Sequence, residues 1–286
     1  MTRHVILEVR SGPLTLRRAV IAPGSELSVG RTSLVDFAVP DDDAMSQRHF
    51  ALRWDGSTCE VRDLASHTGT LVGGVRVDRA AVRPGAWIRA GKTDFSVFFE
   101  RLPGDEGAPE IAPRPAPELR ALAAERRLFA VLDAARGDEV VRALQTSVDE
   151  VDCLFDDGRR ETRADGAPYA VRFRPESHLL DRLFAAGHGR SWGIFAAFGG
   201  SLAELCAHLR RFLMVTRAED EQPLYFRFYD PRVLRAFLPV ATPRQVSLFF
   251  GDIQRLYAET EPPGRLARFE RSGGAVSRSE IDVPRG

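Results

Sequence analysis

Residues 63–74 read DLASHTGTLVGG, and this stretch decides how the N-terminal part of the chain is interpreted. Its glycines at positions 69, 73 and 74 favour tight turns, because glycine reaches positive φ without steric cost. Similar short apolar runs, separated by glycine, proline and aspartate, continue in both directions from residue 4 to residue 101. A series of this kind is typical of a β-sandwich.

The predicted strands of this region are short and bounded by turn residues. They cover residues 4–10, 14–21, 26–30, 50–54, 58–63, 71–72, 75–77, 87–90 and 94–100. In the last of them Phe95, Val97 and Phe99 recur at every second position, so one face of that strand can point to a core.

Three other motifs flank the opening stretch in a definite order and spacing. Gly30-Arg31 ends a predicted strand, Ser46-Gln47-Arg48-His49 follows after a short loop, and Gly85-Ala86-Trp87-Ile88 with Gly91 comes later. Together with residues 63–74 these motifs resemble the forkhead-associated (FHA) domain, over about residues 4–101. The resemblance implies an all-β sandwich whose loops hold a phosphothreonine in a partner protein.

A phosphothreonine carries close to two negative charges and three acceptor oxygens, so its site needs fixed donors and positive charge. Arg31 can hold two phosphate oxygens through its planar guanidinium, and Ser46 offers a hydroxyl donor. Arg48 either adds charge or braces the loop. The resemblance implies a phosphopeptide-binding set composed of Arg31, Ser46, Arg48, Ser66, His67 and Thr68.

Other residues of the motifs are assigned to loop structure. They are Gly30, His49, Gly69 and Thr70, and His49 is expected to tie one loop to its neighbour. The chain departs from the family at two positions. Thr68 stands where the family usually has an asparagine that pins the peptide backbone, and His67 stands where a hydroxyl often contacts the phosphate. The sequence leaves open whether phosphate is required.

Composition limits the remaining function classes. Forty basic residues balance forty acidic ones, so no overall field favours nucleic acid or anionic lipid. Cys59, Cys153 and Cys206 are far apart and odd in number, which predicts neither a disulfide framework nor a zinc site. With no signal peptide or membrane span in the sequence, we expect a cytoplasmic protein.

The chain divides into four predicted parts. Residues 1–101 form the FHA-like sandwich, and residues 102–117, LPGDEGAPEIAPRPAP, form a proline-rich linker. Residues 118–260 alternate apolar strands with amphipathic helices and predict an α/β or α+β domain. Residues 261–286 are polar and glycine-rich, which predicts a flexible tail.

The predicted elements of the second domain include strands at 128–134, 169–173, 192–198 and 224–229, and helices at 138–146 and 177–186. Three helix starts have specific signals. Ser201 with Glu204 is a capping box, and Thr242 with Pro243 and Gln245 repeats the device. Asp230 before Pro231 is an N-cap, an interpretation that we favour over a catalytic carboxylate.

The order of several segments in this domain is also familiar. LFAVLDA at 128–134, SWGIF at 191–195, YFRFYDPRVL at 225–234, Leu238-Pro239 and FFG at 249–251 resemble the bacterial type VI secretion effector chaperones, or adaptors, over about residues 126–258. That resemblance implies binding of a toxic effector and its loading onto the spike protein of the secretion needle. Arg227, Tyr229 and Arg232 are the candidate effector contacts.

The sequence therefore predicts a non-enzymatic adaptor with two protein partners besides the spike: a phosphothreonine protein and an effector. No acid, base and nucleophile set, metal-ligand spacing or cofactor motif is present, so no catalytic residue, metal or cofactor is expected. Two alternatives stay open. One is a phospho-dependent signalling scaffold unrelated to effector loading, and the other is an enzyme that an FHA domain directs to its target.

Overall fold

The structure is a computed structural model that describes residues 3–102, 105, 112–155, 166–216 and 222–285. The chain folds into two compact units. The first comprises residues 1–105 with 145–148, and the second comprises residues 106–144 with 149–286. Part of the predicted linker at 102–117 lies outside the described residues.

The first unit contains two sheets. Their strands are β1 (Val5–Ser11), β2 (Arg18–Ile21), β3 (Ser25–Gly30), β4 (Phe37–Ala38), β5 (Phe50–Trp54), β6 (Cys59–Asp63), β7 (Thr70–Val72), β8 (Val75–Val77), β9 (Arg79–Val82), β10 (Trp87–Ala90) and β11 (Thr93–Phe99). One sheet has the order β2-β1-β11-β10-β7-β8, and the other has the order β4-β3-β5-β6-β9.

Alternating side chains from the two sheets form one core. In β11, Phe95 and Val97 are fully buried while the residues between them are partly exposed. Phe50 of β5 meets Phe95 edge to face, with ring centroids 5.5 Å apart. The predicted all-β sandwich is therefore confirmed, and its core fixes the strand ends from which the loops project.

The sequence prediction differs from this unit at three strands, since β2 begins at Arg18 rather than at residue 14. β4 and β9 were not expected, because β4 has only two residues and β9 reads RAAV, without strong alternation. β4 pairs with β3 in parallel, Val29 with Phe37, so tertiary pairing rather than local pattern forms it.

The second unit is built on a seven-stranded antiparallel sheet with the order β13-β14-β12-β15-β18-β19-β20. Its strands are β12 (Leu128–Asp133), β13 (Glu150–Cys153), β14 (Pro168–Arg172), β15 (Gly193–Ala197), β18 (Arg255–Glu259), β19 (Arg265–Ser272) and β20 (Ala275–Asp282). A separate ribbon pairs β16 (Met214–Thr216) with β17 (Pro223–Tyr225). The described helices are α1 (Pro117–Ala124), α2 (Asp138–Gln145), α3 (Leu179–Gly187), α4 (Leu202–Arg210), α5 (Pro231–Phe237) and α6 (Pro243–Phe250).

All three predicted helix starts of this unit are confirmed. The Ser201 side chain accepts from the Glu204 N–H in a capping box, and Thr242 does the same with Gln245. Asp230 caps α5 by accepting from the Arg232 N–H. Mixed helices and strands confirm the predicted fold class, and the antiparallel pairing is that of an α+β arrangement.

Two predictions for this unit are wrong. The predicted flexible tail, 261–286, instead contains β19 and β20, which pair over eight residues, from Arg265 with Asp282 to Ser272 with Ala275. Its polar composition reflects exposed strand faces rather than disorder, because most of β20 faces solvent. The predicted strand at 224–229 ends at Tyr225, and the following residues turn into α5. Among the described residues, no helix has the length and apolar character needed to cross a membrane.

Candidate functional site

Three loops of the first unit meet at the end of β3. The Arg31 N–H donates to the Ser46 carbonyl at 3.0 Å, so the end of β3 is held against the loop before β5. Gly30 permits this approach, since a Cβ atom there would lie 2.2 Å from the Gln47 carbonyl oxygen. The glycine is therefore required by close packing of two backbones.

Ser46 connects this pair of segments to the third loop. Its Oγ accepts a hydrogen bond from the His67 N–H at 2.9 Å. A serine hydroxyl can accept and donate at once, and the described residues offer no acceptor for the Ser46 hydrogen. Ser46 is thus positioned by the protein and still has a donor for a ligand.

His49 joins the loop that contains Ser46 to the loop that contains Gly69. It is fully buried, its Nδ1 accepts from the Ser46 N–H at 3.1 Å, and its Nε2 lies 3.2 Å from the Gly69 carbonyl oxygen. Because Nδ1 is an acceptor here, Nε2 carries the hydrogen and donates to Gly69. Burial lowers the pKa of His49, so the neutral ring is favoured. In this geometry His49 acts on loop structure rather than on a ligand.

Asp63 organises the loop that contains His67. It accepts from the Ser66 N–H at 2.9 Å, from the Ser66 hydroxyl at 2.6 Å and from the Thr70 hydroxyl at 2.7 Å. Burial alone would raise the pKa of Asp63, but the hydrogen bonds from Ser66 and Thr70 outweigh it and the pKa is lowered. Ser66 is 8% exposed and its hydroxyl is committed, which contradicts its assignment as a phosphopeptide contact.

Asp42 holds the other loop in a similar way. This carboxylate is 1% exposed and accepts from the N–H groups of Ala44, Met45 and Lys92 and from the Thr93 hydroxyl. The sequence reasoning missed both Asp42 and Asp63 as organisers. An aspartate two or three residues before the N–H group that it accepts from is a turn signal that could have indicated both.

Three basic side chains lie exposed at these loop tips. Arg31, Arg48 and His67 are exposed, and none has a hydrogen-bond or ion-pair partner for its side chain within the described part of the chain. Thr68 is also exposed, and its hydroxyl donates to the Ala44 carbonyl at 3.3 Å. Lys92, by contrast, is paired with Asp43 at 2.7 Å. Two guanidinium groups and the Ser46 hydroxyl therefore keep donors that no described residue uses.

In the second unit, two of the three predicted effector contacts, Arg227 and Arg232, are partly exposed, and the third, Tyr229, is buried. Arg227 bonds to Asp133, which is fully buried, and its guanidinium lies 5.8 Å from the centre of the Tyr229 ring. Arg232 donates to both oxygens of Asp230, at 3.0 and 2.7 Å, and its side chain is 55% exposed. Tyr229 is 1% exposed, so it cannot contact a partner, and its selection was wrong.

These two arginines belong to a buried network. Arg136 contacts Asp133 at 3.4 Å and also bonds to Asp230, so three arginines surround two carboxylates. Burial would raise the pKa of Asp230, yet the hydrogen bonds from Arg232 and the charge of Arg136 lower it. The network has a formal charge of plus one, with its surplus on the partly exposed heads of Arg227 and Arg232.

Exposed apolar side chains adjoin this network. Met214, Leu224 and Tyr225 of the β16–β17 ribbon are 46%, 38% and 39% exposed, and the Tyr225 hydroxyl lies 3.1 Å from that of Tyr229. The sequence analysis placed Tyr225 in the predicted strand at 224–229 and did not select it as an effector contact. Throughout the described residues, no group of three or more His, Cys, Asp and Glu side chains is arranged to hold a metal ion.

The first unit is thus a β-sandwich whose loop tips present unpaired arginines and a serine hydroxyl, which is the form of an anion-reading interaction domain. Comparison with protein families identifies a known domain in each of the two units. Residues 27–91 match the FHA domain, and residues 128–248 match a domain of unknown function, DUF4123. The chain therefore combines an FHA domain with a DUF4123 domain.

Solved structures similar to this chain are FHA domains. One comes from a study of phosphothreonine-dependent FHA domain interactions, with 30% identity, 35% of this chain and 99% of that chain covered, and a TM-score of 0.32. The FHA domain of FhaA, complexed with an intracellular domain of another protein, has 31% identity, 32% and 98% coverage, and a TM-score of 0.30. An FHA domain from Arabidopsis thaliana has 26% identity, 37% and 92% coverage, and a TM-score of 0.34. Comparison with curated proteins finds no match.

Proposed function

We propose that this protein is an adaptor without catalytic activity that binds a phosphothreonine-containing partner through its FHA domain and a type VI secretion effector through its DUF4123 domain. Loading of the effector onto the spike protein of the secretion needle is part of the same proposal. The FHA family supports the first activity, and the DUF4123 family supports the second.

One observation carries the phosphothreonine proposal. The Ser46 hydroxyl, held by the His67 N–H, lies in the segment that receives the Arg31 N–H, and the side chains of Arg31 and Arg48 have no partner among the described residues. A hydroxyl donor and two guanidinium groups meet the charge and acceptor number of a phosphate. The buried aspartates of the loops are satisfied by hydroxyl and N–H donors, so they do not consume this charge.

Mutation of Arg31 and Ser46 tests this site. We expect Arg31→Ala or Ser46→Ala to weaken binding of a phosphothreonine peptide by about 1.5 to 3 kcal/mol, the worth of a hydrogen bond to a charged group. Fluorescence polarisation with phosphorylated and unphosphorylated peptides measures the affinity of each variant. Arg53→Ala is the matched control, because Arg53 is exposed on β5, four residues beyond His49. Equal affinity of both peptides for the unaltered protein would contradict phosphate recognition.

The effector proposal rests on the DUF4123 family together with the surface of the second unit. Met214, Leu224 and Tyr225 supply exposed apolar area, and Arg227 and Arg232 supply the surplus positive charge beside it. Aromatic residues and arginines are the side chains that most often dominate binding energy in protein interfaces. We call these five residues the ribbon surface.

Co-purification tests the effector proposal. The toxin encoded beside this gene is expected to co-purify with the full chain, and Tyr225→Ser with Leu224→Ser is expected to abolish that complex. Leu248→Ser is the control, because Leu248 is also an exposed leucine, at 54%, and lies on α6 rather than on the ribbon. A neighbouring toxin that fails to bind the unaltered chain would favour the phospho-dependent scaffold over the adaptor.

A further inference from the structure

Arg76 lies against the loop that reaches the proposed phosphate site. A Cβ atom placed on Gly69 would be 2.5 Å from Arg76 Nε and 2.6 Å from Arg76 Cζ, so the guanidinium fills the space beside this glycine. Gly69 has a φ of +78° and accepts from His49 through its carbonyl oxygen. The arginine head is therefore next to a backbone segment that the protein holds rigidly.

Strand register explains this position. Arg76 is on β8 and pairs with Leu71 of β7, while Val77 pairs with Thr70. Thr70 ends the loop that contains His67, whose N–H donates to the Ser46 hydroxyl oxygen. Arg76 thus reaches back along the hairpin to Gly69, the residue next to Thr68.

The charge of Arg76 is not used within the protein. Its side chain is exposed and has no hydrogen-bond or ion-pair partner among the residues that the structure describes. Three carboxylates of this region already have donors: Asp42 accepts from the Thr93 hydroxyl, Asp63 accepts from Ser66 and Thr70, and Asp43 is paired with Lys92. A phosphate with close to two negative charges is matched by Arg31 and Arg48, which leaves Arg76 as a third, unmatched cation.

We propose that Arg76 reads an acidic side chain, aspartate or glutamate, that flanks the phosphothreonine in the partner. The partner of the FHA domain is then an acidic phosphothreonine segment rather than any phosphothreonine. This inference rests on the proposed phosphothreonine binding. It adds a second point of recognition, which selects among phosphorylated sequences through charge at a fixed place on the loop.

The test uses the full chain and a set of phosphothreonine peptides in an alanine background, in which one aspartate or one lysine is moved through each flanking position. We expect one position where aspartate binds about three- to fivefold tighter than lysine, the range for an exposed ion pair. Arg76→Glu should reverse that preference, so that lysine binds tighter than aspartate at the same position. Arg53→Glu, with the same charge change on β5, should keep it.

The outcomes separate the inference from the proposed function. If phosphopeptides bind but no position distinguishes aspartate from lysine, or if Arg76→Glu keeps the preference of the unaltered protein, Arg76 does not select an acidic residue and phosphothreonine binding stands. If phosphorylated and unphosphorylated peptides bind equally, the proposed function fails and this inference fails with it. Raising the salt concentration should reduce the aspartate preference, because exposed charges are screened.

Discussion

The candidate sites of the two domains use arginine and aspartate in opposite ways. In the FHA domain the buried Asp42 and Asp63 accept from backbone N–H groups and hydroxyls, and the arginines at the loop tips have no partner within the described residues. In the DUF4123 domain the buried Asp133 and Asp230 accept from arginines. Neutral donors leave the cations available to a ligand, whereas arginine donors use most of the charge inside the fold.

This difference indicates what each surface can recognise. The loop tips offer charge that is not neutralised by the protein's own carboxylates, so an anion gains directional hydrogen bonds there. The ribbon surface offers exposed apolar side chains and a single surplus charge, so its partner gains mainly from apolar burial. One domain is suited to a small ionic modification and the other to a protein segment with apolar side chains.

The largest expected effect comes from breaking the arginine network. Asp133→Ala should destabilise the DUF4123 domain by about 3 kcal/mol, because Arg136 and Arg227 lose a buried counter-charge. Hydrogen exchange of the amides in β12 and β14 measures this domain alone. Asp252→Ala, an exposed aspartate in the same domain, is the control. A loss no greater than that of the control would show that the network does not stabilise the fold.

The corresponding change in the FHA domain is His49→Ala, with a smaller expected cost of about 2 kcal/mol. It removes two hydrogen bonds and leaves the Ser46 N–H and the Gly69 carbonyl unpaired in a buried place. Hydrogen exchange of β5 and β6 amides measures it. His67→Ala should cost less than about 0.5 kcal/mol, since this exposed side chain has no described bond. Equal costs for the two variants would contradict the bridging role.

The FHA part of the fold could be predicted from the sequence because its signals are local. Glycines at turns and alternating apolar residues placed nine strands, and the motif spacing placed Arg31, Ser46 and His49 together. Ser66 was misassigned because sequence order cannot show which way a hydroxyl points. In the structure the Ser66 hydroxyl donates to Asp63. The parallel pairing of β4 depends on contacts that no local pattern encodes.

The DUF4123 domain was harder to predict, for a different physical reason. Capping residues act on their own helix, so Ser201, Asp230 and Thr242 gave correct helix starts. The hairpin of β19 and β20 is mostly exposed on β20, so its composition is that of a tail. Tyr225 and Tyr229 follow one alternating pattern, but the chain turns between them and leaves the first exposed and the second buried.

The burial of His49 also predicts that the stability of the FHA domain depends on pH. Burial lowers the pKa of His49 below its ordinary value of about 6.5. Above that pH neither the folded nor the unfolded state binds the proton. Below it the unfolded state binds a proton that the folded state excludes, so stability falls as the pH is lowered. The loss is about 1.4 kcal/mol for each pH unit between the two pKa values.

Hydrogen exchange of β5 and β6 at about pH 7 and about pH 5 measures this dependence. The readout has to come from the FHA domain, because burial also lowers the pKa of His188 in the DUF4123 domain and gives the same sign there. His49→Gln should remove most of the dependence of the FHA domain on pH. An undiminished slope in that variant would assign the effect to another group.

Within the arginine network, the smallest effect on stability is expected for Arg232→Ala. Its side chain is 55% exposed, and Asp230 keeps Arg136 and the N-cap hydrogen bond of α5, so the cost should be below about 1 kcal/mol.

The same change, Arg232→Ala, removes an exposed charge from the ribbon surface. It should therefore slow effector association and reduce its salt dependence, because charges at an interface rim act mainly on the rate of encounter. Stopped-flow association with the co-purified toxin measures it, with Arg244→Ala on α6 as the control. If Arg232→Ala instead destabilises the domain as much as Asp133→Ala, the charge of Arg232 serves the fold, and the ribbon surface retains only its apolar side chains for recognition.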